Sequence, residues 1–270
     1  MSDAVTPNER QAWPDWLAWR ASTPARLALG RAGAGMPTDE TLRFGWAHAM
    51  ARDAIHAALD GDALAASLRL EGWPVEQVRS RAQDREVYLR RPDLGRQLHA
   101  DDAARLLTLR RDAATADICL VIGDGLSSLA VERHARPLLA ELRAQLRQDT
   151  LFSPVVIATQ ARVALADEVG EALGAKLVVM LIGERPGLSS PDSLGLYLTH
   201  APRSGRSDAE RNCISNVRPE GLSYAAAAFK LAWLMRESLR LGFSGVQLKD
   251  ESDLATLDAG NCHGTVTLGG

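Results

Sequence analysis

The sequence predicts an α/β protein: a doubly wound, mostly parallel sheet preceded by an N-terminal helical region. Three observations carry that expectation. Leu177-Val178-Val179-Met180-Leu181-Ile182 is an unbroken apolar run with no polar alternation, the pattern of a strand buried on both faces beneath helices. Ile118-Cys119-Leu120-Val121-Ile122 and Pro154-Val155-Val156-Ile157-Ala158 repeat the pattern, each leading through a turn into a helical stretch. Strands alternating with helices in this way imply parallel crossover units over about residues 112–249.

The elements follow in order. Residues 1–111 read as the N-terminal helical region. Within it, Trp13, Trp16 and Trp19 would share one side of a short helix starting near Pro14, serving either the chain's own core or another subunit. Gly30-Arg31-Ala32-Gly33-Ala34-Gly35 follows no strand and lacks the Lys-Ser/Thr ending of a P-loop, so it reads as a connector. Pro37-Thr38-Asp39-Glu40 opens a helix through about Ala58. From Trp73 to Arg111 charges of both signs are interleaved, which reads as solvated helix faces or a polar interface. After the first strand come a turn at Gly123-Asp124-Gly125-Leu126-Ser127-Ser128 and a helix to about Gln148 that has to tolerate Pro137. The second strand leads through Gln160-Ala161-Arg162-Val163 to a helix around Asp167–Leu173 and then to the third strand. Leu194–Thr199 and Cys213–Val217 are strand-like, and Tyr224 to Gly242 is an apolar helix with a glycine cap. Residues 250–270 are expected to form a mobile tail.

Composition narrows the function classes. A chain of 270 residues, 46% hydrophobic and 24% charged, can bury a sizeable core. A formal charge of -3 gives no reason to expect nucleic acid or an anionic membrane as partner. The three cysteines, Cys119, Cys213 and Cys262, have neither disulfide nor metal spacing, and the N-terminus lacks a secretory pattern, so a cytoplasmic protein with free thiols is expected. There is no Gly-x-Ser-x-Gly elbow and no His-Glu-x-x-His, and no metal ligands or self-contained catalytic set emerge.

Ligands of open α/β sheets bind beyond the carboxyl ends of the strands. Glu184, in Gly183-Glu184-Arg185-Pro186-Gly187 after the third strand, is therefore the first site candidate. Gly123-x-Gly125-x-x-Ser128 partly matches a dinucleotide fingerprint. Ser stands for the third Gly, Asp124 occupies the phosphate turn, and Arg162 would suit a phosphorylated ribose, which makes an NADP-binding oxidoreductase one alternative. Asp124 reads equally well as a helix cap. A non-catalytic scaffold subunit is the other alternative.

Several motifs taken together resemble the small (light) subunit of ethanolamine ammonia-lyase. They are Ala21-Ser22-Thr23-Pro24-Ala25-Arg26-Leu27-Ala28-Leu29-Gly30-Arg31, Ala51-Arg52-Asp53-Ala54-Ile55-His56, Asp124-Gly125-Leu126-Ser127, Arg162-Val163, Gly183-Glu184-Arg185-Pro186-Gly187 and Cys213-Ile214-Ser215-Asn216. The resemblance covers about residues 20–249 in one order. It implies one half of an adenosylcobalamin-dependent lyase that converts ethanolamine to acetaldehyde and ammonia. The large subunit, a barrel, would hold substrate and the upper face of the cofactor, and this chain the lower face. By motif, the cobalamin contacts fall on Val163, Glu184 and Cys213, with the nucleotide tail near Asp124, Ser127 and Arg162. The chain has no Asp-x-His-x-x-Gly, so the cofactor is expected base-on, keeping its dimethylbenzimidazole on cobalt. The N-terminal helices and the mixed-charge region would bind the large subunit, and the complex could sit in a bacterial microcompartment.

Overall fold

The computed structural model describes residues 18–20, 22–23, 25–112, 116–146 and 150–253. Trp13, Trp16, Cys262 and most of the expected tail lie outside the described residues. Helices α1 (Thr38–His56) and α2 (Gly61–Leu70) precede β1 (Val75–Arg79), α3 (Arg85–Arg90) and α4 (Ala100–Asp112). Then come β2 (Ile118–Gly123), α5 (Ser128–Gln145), β3 (Val155–Thr159), α6 (Leu165–Leu173), β4 (Leu177–Gly183), β5 (Leu194–His200), β6 (Arg211–Val217) and α7 (Tyr224–Leu241).

The six strands form one sheet in the order β1-β3-β2-β4-β5-β6. The pairings β1/β3, β3/β2 and β2/β4 are parallel, whereas β4/β5 and β5/β6 are antiparallel. The α/β class holds, and the sheet is mixed: β5 and β6 follow β4 without an intervening α-helix and so run back and forth beside it. The structure also adds β1, an edge strand that the sequence reading left within a run of solvated charges. Its Glu76 and Gln77 are half-buried, while Val75 and Val78 enter the core.

Strand geometry sends successive side chains to opposite faces, and β4 obeys it. Leu177, Val179 and Leu181 join Leu120, Ile122 and the apolar faces of α2, α5 and α7 on one side. Val178, Met180 and Ile182 join Cys119, Val121, α4 and α6 on the other. Each fully buried Leu or Ile contributes about 1.5–3 kcal/mol, so two covered faces explain why β2 and β4 carry no polar residue.

Helix ends match the local sequence. Asp60 and Asp84 accept from the N–H groups of Ala63 and Val87, capping α2 and α3. Gly242, at φ 80°, ends α7 in the left-handed region. At the other end of that helix, the Ser223 hydroxyl caps the Ala226 N–H. α5 runs through Pro137 as one helix. α1 differs from the rest: it buries only Glu40, Ala51 and Ala54, while Leu42, Phe44, Trp46 and Met50 are exposed. Trp19 is exposed as well. Beyond α7, the Lys230 ammonium bridges Asp250 and Asp253, which holds the first residues of the C-terminal segment to the fold.

Candidate functional site

The carboxyl ends of β2, β3 and β4 meet where Asp124, Gln160–Val163 and Glu184 emerge. Asp124 is buried, and its two oxygens accept from the N–H groups of Gln160 and Ala161, each at 2.9 Å. Gln160 adopts φ 56° to present its N–H. Burial pushes the Asp124 carboxyl up, opposed by the Ala161 N–H, by the Arg85 guanidinium 3.3 Å away and by the Gln160 N–H. Asp124 therefore clamps the β3 turn and does not cap α5. The cap is Ser127, whose hydroxyl accepts from the Ala130 N–H and donates to the Pro191 carbonyl at 2.9 Å. Both side chains are buried with protein partners.

The glycines at this turn serve close backbone approach. A Cβ on Gly125 would lie 2.2 Å from the Gly183 carbonyl oxygen, and one on Gly183 would lie 2.0 Å from that of Ser127. The Leu126 N–H donates to the same Gly183 carbonyl. The room a pyrophosphate would need at the fingerprint is thus filled by the chain's own β4 end, which removes the support for the dinucleotide alternative.

Glu184 leaves β4 on the α6 side of the sheet and lies across β5. A Cβ on Gly195 would come within 2.9 Å of Glu184 Oε1. Glu184 Oε2 accepts from the Ser193 hydroxyl and, at 3.2 Å, from the N–H of Asn216, whose φ of 58° is one that Asn tolerates. Oε1 accepts no hydrogen bond among the described residues. On the same face Tyr197 sits in register with Cys213 across β5 and β6. Burial pushes the Cys213 thiol up, and the neighbouring Tyr197 phenol draws it part of the way back down.

Val163 starts the turn into α6 and packs against the same face. The structure therefore brings Val163, Glu184 and Cys213 to one side of the sheet. Arg162 lies over the Tyr88 ring, 4.4 Å from its centroid, and its buried Nε has no hydrogen-bond partner among the described residues.

That side is covered unevenly. α6 packs over β2 and β4, and α7 covers β5 and β6 from the opposite face. On the α6 side, β5 and β6 present Gly195, half-buried Tyr197, and exposed Cys213 and Ser215. Where α6 meets this open surface, Asp167 and Arg211 form an ion pair at 2.6 Å, both side chains 2% exposed. Burial lifts the Asp167 carboxyl to about 6, with Arg211 opposing. The sequence reading missed Tyr197 and the Asp167–Arg211 pair. Alternation of Gly195, Tyr197 and Thr199 with Leu194, Leu196 and Leu198 was the available signal for the first.

An open α/β sheet with one half-covered face, on which a carboxylate, a thiol and a phenol sit together, has the form of a ligand-receiving surface. Comparison with known proteins says which kind. The ethanolamine ammonia-lyase light chain family profile matches residues 14–249, and the chain belongs to that family. It is 55% identical over 257 residues to the ethanolamine ammonia-lyase small subunit of Azotobacter vinelandii, covering 94% of this chain and 95% of that one. To the small subunit of Ralstonia nicotianae it is 57% identical over 251 residues, covering 91% and 92%. The Pseudomonas putida W619 small subunit is 54% identical over 251 residues, covering 91% of each. The chain is thus a small subunit within a lyase complex, with a large subunit as its partner. No helix among the described residues is long and apolar enough to cross a membrane.

Proposed function

We propose that within its lyase complex this chain receives the lower face of adenosylcobalamin on the open side of β5 and β6, while the large subunit supplies the substrate site. A corrin is a broad apolar disc rimmed by amides, so its receiver needs a flat floor of small or apolar groups and a few acceptors for amide N–H. The open face fits that need. Val163 and Cys213 supply apolar contact, and Glu184 supplies an acceptor. The observation that carries the reading is the uncommitted Oε1 of Glu184 on the same open face as Cys213, in a chain of this family.

Bound adenosylcobalamin supplies the radical chemistry, and the protein supplies placement and electrostatics. Asn216 and Ser193 hold Oε2 of Glu184, which leaves Oε1 as the oxygen without a hydrogen bond among the described residues. Gly195 leaves room for Glu184 to lie flat. Among the residues expected near the nucleotide tail, Arg162 has a donor to offer, whereas Asp124 and Ser127 act by shaping the turn beside it. With no Asp-x-His-x-x-Gly histidine in this chain to take its place, the cofactor's own base would stay on cobalt. The exposed Leu42, Phe44 and Trp46 of α1, with the mixed-charge region behind them, form the contact for the large subunit. If the complex is enclosed in a bacterial microcompartment, it will co-purify with shell proteins.

The test is to co-assemble Glu184→Gln and Glu184→Ala chains with the large subunit and follow adenosylcobalamin retention by visible absorbance. Glu184→Ala is expected to weaken retention more than Glu184→Gln, with assembly intact. Retention equal to wild type in both would remove Glu184 from the seat. Cobalt hyperfine coupling to a protein histidine nitrogen would overturn the base-on assignment.

A further inference from the structure

We infer that Tyr197 is a further cofactor contact, forming the floor of the seat between Glu184 and Cys213. This rests on the cobalamin reading and extends it to a residue that the motifs did not mark. Tyr197 lies on β5, in register with Met180 of β4 on one side and Cys213 of β6 on the other. By strand alternation it shares its face with Gly195 and Thr199, and Glu184 occupies the space above Gly195. Burial first, and the Glu184 charge as a smaller cause, pushes up both the Tyr197 phenol and the Cys213 thiol, which agrees with the three groups sharing one neighbourhood.

Tyr197 packs on the α6-side core, yet the residue is only half-buried. A half-buried aromatic on a flat sheet, flanked by Gly and Cys, presents a low apolar surface to a planar ligand. Its phenol stays protonated, held there first by burial and then by Cys213 and Glu184. The Tyr197 ring thus meets the ligand directly beside the Cys213 thiol.

The experiment uses the complex with the large subunit and adenosylcobalamin as probe, reading cofactor affinity by absorbance titration and Cys213 alkylation by peptide mass. Tyr197→Ala is expected to lower cofactor affinity about tenfold. Tyr197→Phe keeps the ring and is expected to hold affinity within about twofold while changing the Cys213 alkylation rate in the cofactor-free complex. If Tyr197→Ala does not assemble, Tyr197→Leu is measured in its place, with the same loss expected. Wild-type affinity in Tyr197→Ala or Tyr197→Leu, alongside loss in Glu184→Ala, overturns this inference alone. Wild-type affinity in all of them overturns the cobalamin reading beneath it.

Discussion

In β2 and β4 every side chain is buried, whereas β6 is buried only at Arg211, Ile214 and Val217, with Cys213, Ser215 and Asn216 exposed. The first group is sandwiched between two helical layers, and its sequence is uniformly apolar as a result. The second has one helical layer, and its outward residues are small or polar. The covered half holds the molecule together, and the half-covered one leaves a surface for something else to occupy. The two are joined across the sheet's face by the Asp167–Arg211 pair, which ties α6 to β6.

That joint gives the largest expected effect. Asp167→Ala strands the Arg211 guanidinium in a buried place, and stability to urea should fall by about 3–5 kcal/mol. A loss under 1 kcal/mol would mean that the two halves are not held by this pair. Leu181→Ala, in the covered half, should cost about 2–5 kcal/mol, while Ser215→Ala on the open face should stay within about 0.5 kcal/mol. Equal costs would erase the contrast. Gly183→Ala, which drives a Cβ into the Ser127 carbonyl, should cost about 3 kcal/mol. Gly195→Ala should cost about 1 kcal/mol, because only the Glu184 side chain has to move, yet it should reduce cofactor retention. The smallest effect on the fold comes from thiol labelling. Burial pushes the Cys119 thiol up to about 12 and shuts out reagent, so at neutral pH Cys213 should be alkylated and Cys119 spared.

The same contrast explains what was legible in the sequence. β2, β3 and β4 were readable because two-sided burial leaves a short β-branched-rich apolar run followed by a turn. β1 was not, since an edge strand keeps half-buried Glu76 and Gln77 among charges that also suit a helix face. The reversed direction of β5 was hidden because strand propensity carries no sign of orientation. Glu184 was readable from its place after a strand. The partners of Asp124 and Ser127 were not: the Gln160 and Ala161 N–H groups and the Pro191 carbonyl are distant in sequence. Tyr197 needed alternation to be traced along a strand whose very membership in the open half was unknown.

The central claim is that the open face of β5 and β6 is where the cofactor sits. The most direct measurement is the rate of Cys213 alkylation in the assembled complex with and without adenosylcobalamin, which separates cover by the cofactor from cover by the large subunit. The account predicts a rate at least about tenfold slower when the cofactor is bound. An unchanged rate on a reactive Cys213, with adenosylcobalamin demonstrably bound, would contradict it.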